Sequence, residues 1–115
     1  MTKQKQLHNE FLEKLQEIIQ KNLEKPDFSI VQICIEMNIS RAQLHRKVKA
    51  ATGFSTSLLI RHVRMEQAKK LLETTDFNVS EIAYQIGVSS PQNFSKYFIE
   101  AYGLSPSAYR KQRGT

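Results

Sequence analysis

The amino-acid sequence predicts an all-α fold of about seven helices, in which two helix-turn-helix subdomains are joined by a long linker helix. Three observations predict this fold. Apolar residues recur at helical spacing along the chain, without the sustained alternation of apolar and polar residues that is typical of strands. Only four glycines interrupt the 115 residues. The second half of the chain also repeats the first at an offset of about fifty residues.

The first two helices are predicted from apolar spacing and from capping residues. Pro26 is expected to end the opening helix, because proline cannot continue a helix. Ser29, followed three residues later by Gln32, has the pattern of a capping box and predicts the start of a second helix. Asn38 is the expected break after it. Five apolar residues at helical spacing predict the opening amphipathic helix: Phe11, Leu15, Ile18, Ile19 and Leu23.

The third and fourth helices complete the first half. Ser40 and Gln43 repeat the capping pattern and open the third helix, which Gly53 is expected to end. A longer helix is predicted from Ser55 to about Thr74. At ~1.5 Å per residue this linker helix would span roughly 30 Å, close to the ~34 Å between successive major grooves on one face of DNA. An ordinary core helix would have the same length.

Three shorter helices are predicted in the second half, and their punctuation resembles that of the first. Gly87 and Gly103 are expected to stop the first two of them. Pro106 suits the first position of the last helix, where a missing N–H costs nothing. Each of the three begins after a small polar capping residue: Asn78, Ser90 and Ser105.

The internal repeat is the strongest sequence signal. Before the turn in each copy the offset is 49, so that Ile33 falls on Ile82; after the turn it is 50, so that Ser40 falls on Ser90. The second turn is therefore one residue longer. Each copy consists of a short helix, a break and a capped second helix, which is the helix-turn-helix plan whose second helix lies in the major groove of DNA. The alternative is a repeat of plain helical hairpins.

The predicted domain organisation follows from the repeat. With 40% hydrophobic residues, the chain is long and apolar enough for one modest domain. The whole of 1–115 is predicted to be a single DNA-binding domain. Its parts are a first lobe at 1–54, the linker helix at 55–74 and a second lobe at 75–115.

The positive charge is concentrated in one stretch of the chain. The net charge is +6, and residues 40–70 hold eight basic side chains against the single acid Glu66. A concentrated positive field favours a polyanion such as DNA, because bound phosphates release their condensed counterions. A solvated basic face without a ligand would have the same composition, so that charge alone leaves both interpretations open.

The start of each recognition helix supplies the candidates for base contacts, since side chains there reach base edges. Arg46 is the best candidate for guanine O6 and N7, because its planar fork bonds both atoms. His45 would donate to a base acceptor, and Gln92 or Asn93 would pair with adenine. The seven candidates for base contacts are Arg41, Ala42, His45, Arg46, Gln92, Asn93 and Lys96.

A second set of residues is predicted to contact phosphates, which position the protein but do not specify sequence. Lys47 and Lys49 supply charge. The serines at helix starts lie beside free backbone N–H groups that suit phosphates, although capping alone would explain them. The six candidates for phosphate contacts are Ser40, Lys47, Lys49, Ser55, Ser90 and Ser95.

Over about residues 8–113 the chain resembles the AraC/XylS family of transcription regulators. The first half contributes Phe28-Ser29-Ile30, Ser40-Arg41-Ala42-Gln43-Leu44-His45-Arg46-Lys47 and Thr52-Gly53-Phe54-Ser55. The second half contributes Arg64-Met65-Glu66-Gln67-Ala68-Lys69-Lys70-Leu71-Leu72, Val79-Ser80-Glu81-Ile82-Ala83, Ile86-Gly87-Val88, Phe94-Ser95-Lys96-Tyr97-Phe98 and Tyr102-Gly103-Leu104-Ser105-Pro106-Ser107-Ala108-Tyr109-Arg110. The stretch from Ser40 to Lys47 also resembles the output domains of hybrid two-component sensor kinases.

The resemblance implies a two-lobed, all-helical DNA-binding domain that regulates transcription. It implies double-stranded DNA and RNA polymerase as partners, and a sensing or dimerisation region outside this chain. It further implies a structural role for Arg64. Family members often carry an arginine where this chain has Lys96, and lysine is a point donor rather than a fork. Because Glu100 is also expected to offset Lys96, the second lobe is predicted to contribute less specificity than the first.

Other classes of function lack a sequence signal. His8, His45 and His62 are scattered without metal-ligand spacing, and the chain has no glycine-rich phosphate loop, so that neither an enzyme nor a cofactor is expected. Cys34 is predicted to be inert, and a single cysteine suits a reducing cytoplasm. No apolar run is long enough to span a membrane, and no signal peptide is visible. The main rival interpretation is a helical protein-interaction module without DNA binding.

Overall fold

The computed structural model describes the backbone of residues 3–25 and 27–113, with side chains from Asn9 onward, and every regular element in this part of the chain is a helix. The predicted all-α fold of about seven helices is confirmed. Pro26, which was expected to end the first helix, lies outside the described residues. The helices are α1 (Lys3–Lys21), α2 (Ile30–Met37), α3 (Arg41–Thr52), α4 (Thr56–Thr74), α5 (Val79–Gln85), α6 (Pro91–Tyr102) and α7 (Pro106–Arg113).

The chain folds as two compact units. Unit 1 contains the described residues up to Asn22 together with Asp27–Ile60. Unit 2 contains the short segment that starts at Leu23 together with the described residues from Arg61 onward. The first residues of α4 therefore belong to unit 1 and the rest of that helix to unit 2. Among the described helices, none combines the length and the apolar character needed to cross a bilayer.

Helices α1, α2 and α3 pack around the core of unit 1. Asn22 is a buried polar residue at the edge of this core: its amide donates to the carbonyl oxygen of Ile18 at 2.8 Å and accepts from Gln32 Nε2 at 3.4 Å. Because Gln32 is turned toward Asn22, only half of the predicted capping box at Ser29 forms, with the serine Oγ accepting from the Gln32 backbone. Five apolar side chains of unit 1 are fully buried: Leu15, Ile19, Ile33, Leu44 and Val48.

The core of unit 2 is rich in aromatic side chains. Phe94 and Phe98 of α6 are fully buried, and their rings meet edge to face at 5.9 Å. Tyr102 and Tyr109 pack against Phe98 at 4.8 and 5.7 Å. Met65, Ala68 and Leu72 of α4 lie in the same cluster, so that most of α4 is a core helix of unit 2.

The turn of the second helix-turn-helix contains a position that only glycine fits. Gly87 has φ +77°, a conformation that side-chain-bearing residues rarely adopt. A Cβ there would also lie 2.1 Å from the carbonyl oxygen of Leu23 and 3.5 Å from Arg64 Nη2. In the first helix-turn-helix, Asn38 ends α2 in the same left-handed region, with φ 56°.

The end of α4 is closed by a side chain from α7. The last carbonyl groups of a helix lack partners within it. Arg110 provides hydrogen-bond donors at this end of the helix. Its Nε donates to the carbonyl oxygen of Leu72 at 3.2 Å, its Nη2 to that of Thr75 at 3.0 Å and its Nη1 to that of Phe77. This clamp fixes the chain between α4 and α5.

Candidate nucleic-acid interface

The first recognition helix, α3, buries one face and exposes the other. A complete capping box starts it, with Ser40 Oγ accepting from the Gln43 backbone at 3.1 Å and Gln43 Oε1 accepting from the Ser40 backbone at 3.0 Å. Leu44 and Val48 face the core of unit 1. Five predicted contact residues lie together on the opposite, exposed face, at the spacing of one helical surface: Arg41, Ala42, His45, Arg46 and Lys49.

Two of these side chains are free cations. Arg41 and Arg46 are both exposed, and within the described ranges 3–25 and 27–113 neither guanidinium has an ion-pair, hydrogen-bond or ring partner. Such a side chain can meet a ligand without first breaking an internal contact. The two guanidinium groups are therefore the groups on this face that can bind a polyanion without losing an internal contact.

The lysines of α3 are held by contacts within unit 1. Lys47 Nζ lies 5.6 Å from the centre of the Phe11 ring, within the range of a cation–π contact. Lys49 Nζ donates to the carbonyl oxygen of Gly53 at 2.9 Å, where a positive charge suits the carboxyl end of a helix. A phosphate contact by either lysine would share or replace these interactions.

His45 is held at one edge of its ring. Its Nδ1 lies 3.0 Å from Oγ1 of Thr56, the first residue of α4. The Thr56 side chain is fully buried, whereas His45 is exposed. This pair is not predictable from the sequence, because the two residues are eleven positions apart and no short-range pattern joins them.

An open cleft of ≈ 540 Å³ lies beside the exposed face of α3. Ser55 caps α4 at its edge, its Oγ accepting from the Leu58 backbone at 3.2 Å. The N–H groups of Thr56 and Ser57 belong to the first turn, which has no intrahelical acceptors. This cleft thus combines basic side chains with the positive end of a helix, an arrangement that suits an anion. The lining residues are His45, Arg46, Lys49, Ala50 and Ser55.

The second recognition helix, α6, has the same arrangement with fewer charges. Ser90 Oγ caps it by accepting from the Asn93 backbone at 3.1 Å, and Pro91 occupies its first turn. The exposed face carries Gln92, Asn93 and Lys96, while Ser95 is half-buried. The structure thus places the predicted base-contact residues of α6 on one surface, on the side away from its buried phenylalanines.

The expected offset of Lys96 by Glu100 is wrong. The Glu100 carboxylate lies 3.8 Å from Arg61 Nη1 instead. Arg61 is positioned there because its guanidinium stacks over the Tyr97 ring at 3.9 Å from the ring centre, a favourable arrangement for a planar cation. The charge of Lys96, on the exposed face of α6, is consequently not neutralised by an ion pair with Glu100.

Arg64 belongs to unit 2 and is partly buried there. Burial lowers the pKa of its guanidinium from the ordinary value. Its Nε is wholly buried and lacks a hydrogen-bond acceptor among the described residues, and its Nη2 lies beside the turn at Gly87. Such a placement is consistent with the structural role that the family resemblance implies.

Each unit therefore contains a short helix, a tight turn and a capped helix whose outer face is polar, and the chain has the architecture of tandem helix-turn-helix DNA-binding proteins. Comparison with known proteins gives the family. Residues 33–112 match the family model described as a helix-turn-helix domain, and the solved structures that resemble the chain include AraC-type DNA-binding domains. The chain belongs to this AraC-type helix-turn-helix family, whose members are transcription regulators.

Two solved structures and one curated relative illustrate the likeness. The C-terminal domain of AraT, a response regulator from Geobacillus stearothermophilus, is 33% identical with a TM-score of 0.80, covering 88% of this chain and 84% of that one. The DNA-binding domain of the transcription factor AdpA, solved with a target DNA, is 29% identical with a TM-score of 0.80, covering 88% and 90%. Histidine kinase P4 of Formosa agariphila is 34% identical over 106 residues, which are 92% of this chain and 8% of the kinase. The chain spans about a third of the length of curated transcription regulators that it matches.

Proposed function

We propose that this chain binds specific sequences of double-stranded DNA to regulate transcription, with α3 and α6 each entering a major groove. The observation that carries the proposal is the exposed face of α3, where Arg41 and Arg46 stand unpaired among the described residues. Both follow a helix-turn-helix turn, at the positions from which side chains reach base edges. No enzymatic activity is proposed, and no observation favours a protein-interaction module without DNA binding.

The proposed roles of the side chains differ between the two helices. Arg46 and Arg41 read guanine or hold phosphate, and His45 and Ala42 lie beside them at base level. On α6, Gln92 and Asn93 read adenine, and Lys96 donates to a base acceptor. The residues proposed to contact phosphates have polar side chains or lie at helix starts near these faces: Ser40, Lys47, Lys49, Ser55, Ser90 and Ser95.

The proposal is tested by selecting bound sequences from a random DNA pool and measuring their affinity by mobility shift at two salt concentrations. Enrichment of a defined sequence, bound at least 10³-fold more tightly than unrelated DNA, is the expected result. A chain that shifts every duplex equally would be a non-specific binder, and a chain that shifts none at moderate salt would contradict DNA binding altogether.

The partners of the full-length protein are also proposed. We infer that this chain is the cytoplasmic output domain of a longer regulator, with a sensing or dimerisation region elsewhere and RNA polymerase as the eventual target. The likeness to a domain of a response regulator and to part of a histidine kinase supports two-component signalling as the input. Phosphorylation-dependent DNA binding by the full-length protein, measured against an unphosphorylated sample, tests this inference.

A further inference from the structure

The hydroxyl group of Thr56 has one acceptor available in the part of the chain that the structure describes. Thr56 is 0% exposed, so its O–H cannot turn to solvent. The one hydrogen bond of its side chain there is the 3.0 Å contact with His45 Nδ1. A buried hydroxyl proton without an acceptor is strongly disfavoured. The proton therefore points at the imidazole, and Nδ1 must present its lone pair.

We propose that Thr56 is a positioning residue that holds His45 in the tautomer with its proton on Nε2. In the neutral ring one nitrogen donates and the other accepts, so that an accepting Nδ1 leaves Nε2 as a donor. The exposed His45 then reads base acceptors, namely N7 or O6 of guanine, N7 of adenine or O4 of thymine, and rejects the amino group of cytosine. This inference rests on the proposed DNA binding and deepens it.

The opposite arrangement fails on the same contact. If Nδ1 carried the proton, it would donate to Thr56 Oγ1, and the hydroxyl proton of Thr56 would have no acceptor among the described residues. A ring protonated on both nitrogens would leave the hydroxyl proton equally unpaired. One orientation of the pair therefore satisfies the buried group, and it is the one that exposes a donor.

The internal repeat provides a comparison within the chain. At an offset of 50, His45 falls on Ser95 and Thr56 falls on Pro106. Pro106 is buried like Thr56, so the matching place in unit 2 is filled without a hydroxyl. Filling the core thus does not require a polar group at this position. The hydroxyl in unit 1 occurs together with the histidine that accepts from it.

The tautomer can be measured in the wild-type protein without DNA. The ¹⁵N-labelled protein is examined by NMR, using the two-bond couplings between the carbon-bound ring protons and both ring nitrogens. The pH is raised until the chemical shifts of the histidine signals no longer change. His45→Gln identifies the signal. The expected pattern has a protonated Nε2 and an unprotonated Nδ1. A protonated Nδ1, or a mixture of the two forms in fast exchange, would overturn the proposal.

The effect on recognition is measured with a pair of variants. Thr56→Val removes the hydroxyl at nearly the same volume, and Thr56→Ser keeps it. Thr56→Val should reduce the preference at one base pair of the selected site by about two- to tenfold, the worth of one neutral hydrogen bond. Thr56→Ser should retain the preference. Equal preference in wild type and Thr56→Val would overturn the proposal.

Two controls separate this inference from other failures. Helical content and melting temperature show whether Thr56→Val is folded; if it is not, the wild-type tautomer and Thr56→Ser decide the question. Failure of the wild type to bind DNA would contradict the proposed function, whereas wild-type binding with an unlocked tautomer would contradict only the role of Thr56.

Discussion

At the scale of single residues, the exposed cationic side chains of α3 differ in their contacts within the protein. Arg46 is unpaired among the described residues, whereas Lys47 contacts the Phe11 ring. A free guanidinium loses no internal contact when it binds, and its fork gives it the geometry to discriminate guanine. A lysine already held over a ring supplies charge from a fixed place. The two side chains should therefore affect binding in different ways.

Arg46→Ala should weaken binding to the selected DNA by about 1–3 kcal/mol and relax the preference at a few base pairs. Arg113→Ala is the matched control, because Arg113 is exposed at the end of α7 and pairs with Glu73 at 3.8 Å. Mobility shift on a panel of single-base variants measures both effects. A loss that is uniform over the panel would reassign Arg46 to a phosphate.

Lys47→Ala should weaken binding to all sequences alike and lower the slope of log K against log salt by about one. The reason is that one phosphate contact, and the counterion it displaces, is lost. Titrations at four or more salt concentrations measure the slope. If the slope did not change, Lys47 would be only a structural partner of Phe11.

At the scale of secondary-structure elements, the helix ends show which contacts can be predicted from the sequence and which cannot. Starts were predictable wherever capping is local, as at Ser40, whose predicted capping box forms, and at Asn78, which caps α5 in a box with Glu81. The clamp of Arg110 on the end of α4 joins residues 33 to 38 positions apart, and no short-range pattern announces it. For the same reason the partners of Gln32 and Glu100 were misassigned: each side chain has a local candidate and prefers a distant one.

Arg110→Met should lower the free energy of unfolding by about 2–4 kcal/mol, because carbonyl groups at the end of α4 lose charge-assisted hydrogen bonds. Lys111→Met is the control, since Lys111 is exposed on the same helix and should change stability by less than about 0.5 kcal/mol. Urea denaturation followed by circular dichroism compares the two. Equal stability of both variants would show that the clamp contributes nothing.

Gly87→Ala and Gly103→Ala separate backbone strain from steric overlap. The two glycines have nearly the same φ, +77° and +80°, but a Cβ at Gly103 meets nothing within 4 Å. Gly103→Ala should cost only the left-handed conformation, about 1–2 kcal/mol. Gly87→Ala adds the overlap with Leu23 and should cost more than about 4 kcal/mol. Similar melting temperatures for the two variants would refute the close approach of Leu23.

At the scale of the whole molecule, the chain contains two similar units with unequal chemistry. Fold and family were predictable, because apolar spacing, caps and the internal repeat all indicate the same architecture. Most candidate residues of α3 and α6 lie on exposed faces, as helical periodicity predicts, whereas Ser95 is half-buried. The contacts of His45 with Thr56 and of Lys47 with the Phe11 ring were not predictable, because only the fold brings these residues together. The contact of Lys49 with Gly53 is local, four positions along the chain.

The inequality of the units predicts an asymmetric DNA site. Truncating Gln92 should cost less affinity than truncating Arg46, because a neutral amide contributes less than a charged fork. Selected sequences should show two half-contacts, with the stronger base preference in the one that α3 occupies. A site with equal preference in both halves would contradict this order, as would a larger loss for Gln92→Ala than for Arg46→Ala.

The segment that begins at Leu23 has a consequence for dissecting the protein. It belongs to unit 2, although it lies between two stretches of unit 1, and the Leu23 carbonyl is the group that excludes a side chain at Gly87. Neither unit is thus one continuous piece of chain. No single cut in the chain therefore gives two complete halves. A fragment that starts after residue 26 retains α5, the turn and α6, but it lacks the Leu23 carbonyl that lies beside Gly87. Half-molecules made to study one recognition helix should carry this segment, supplied as a peptide or joined by circular permutation.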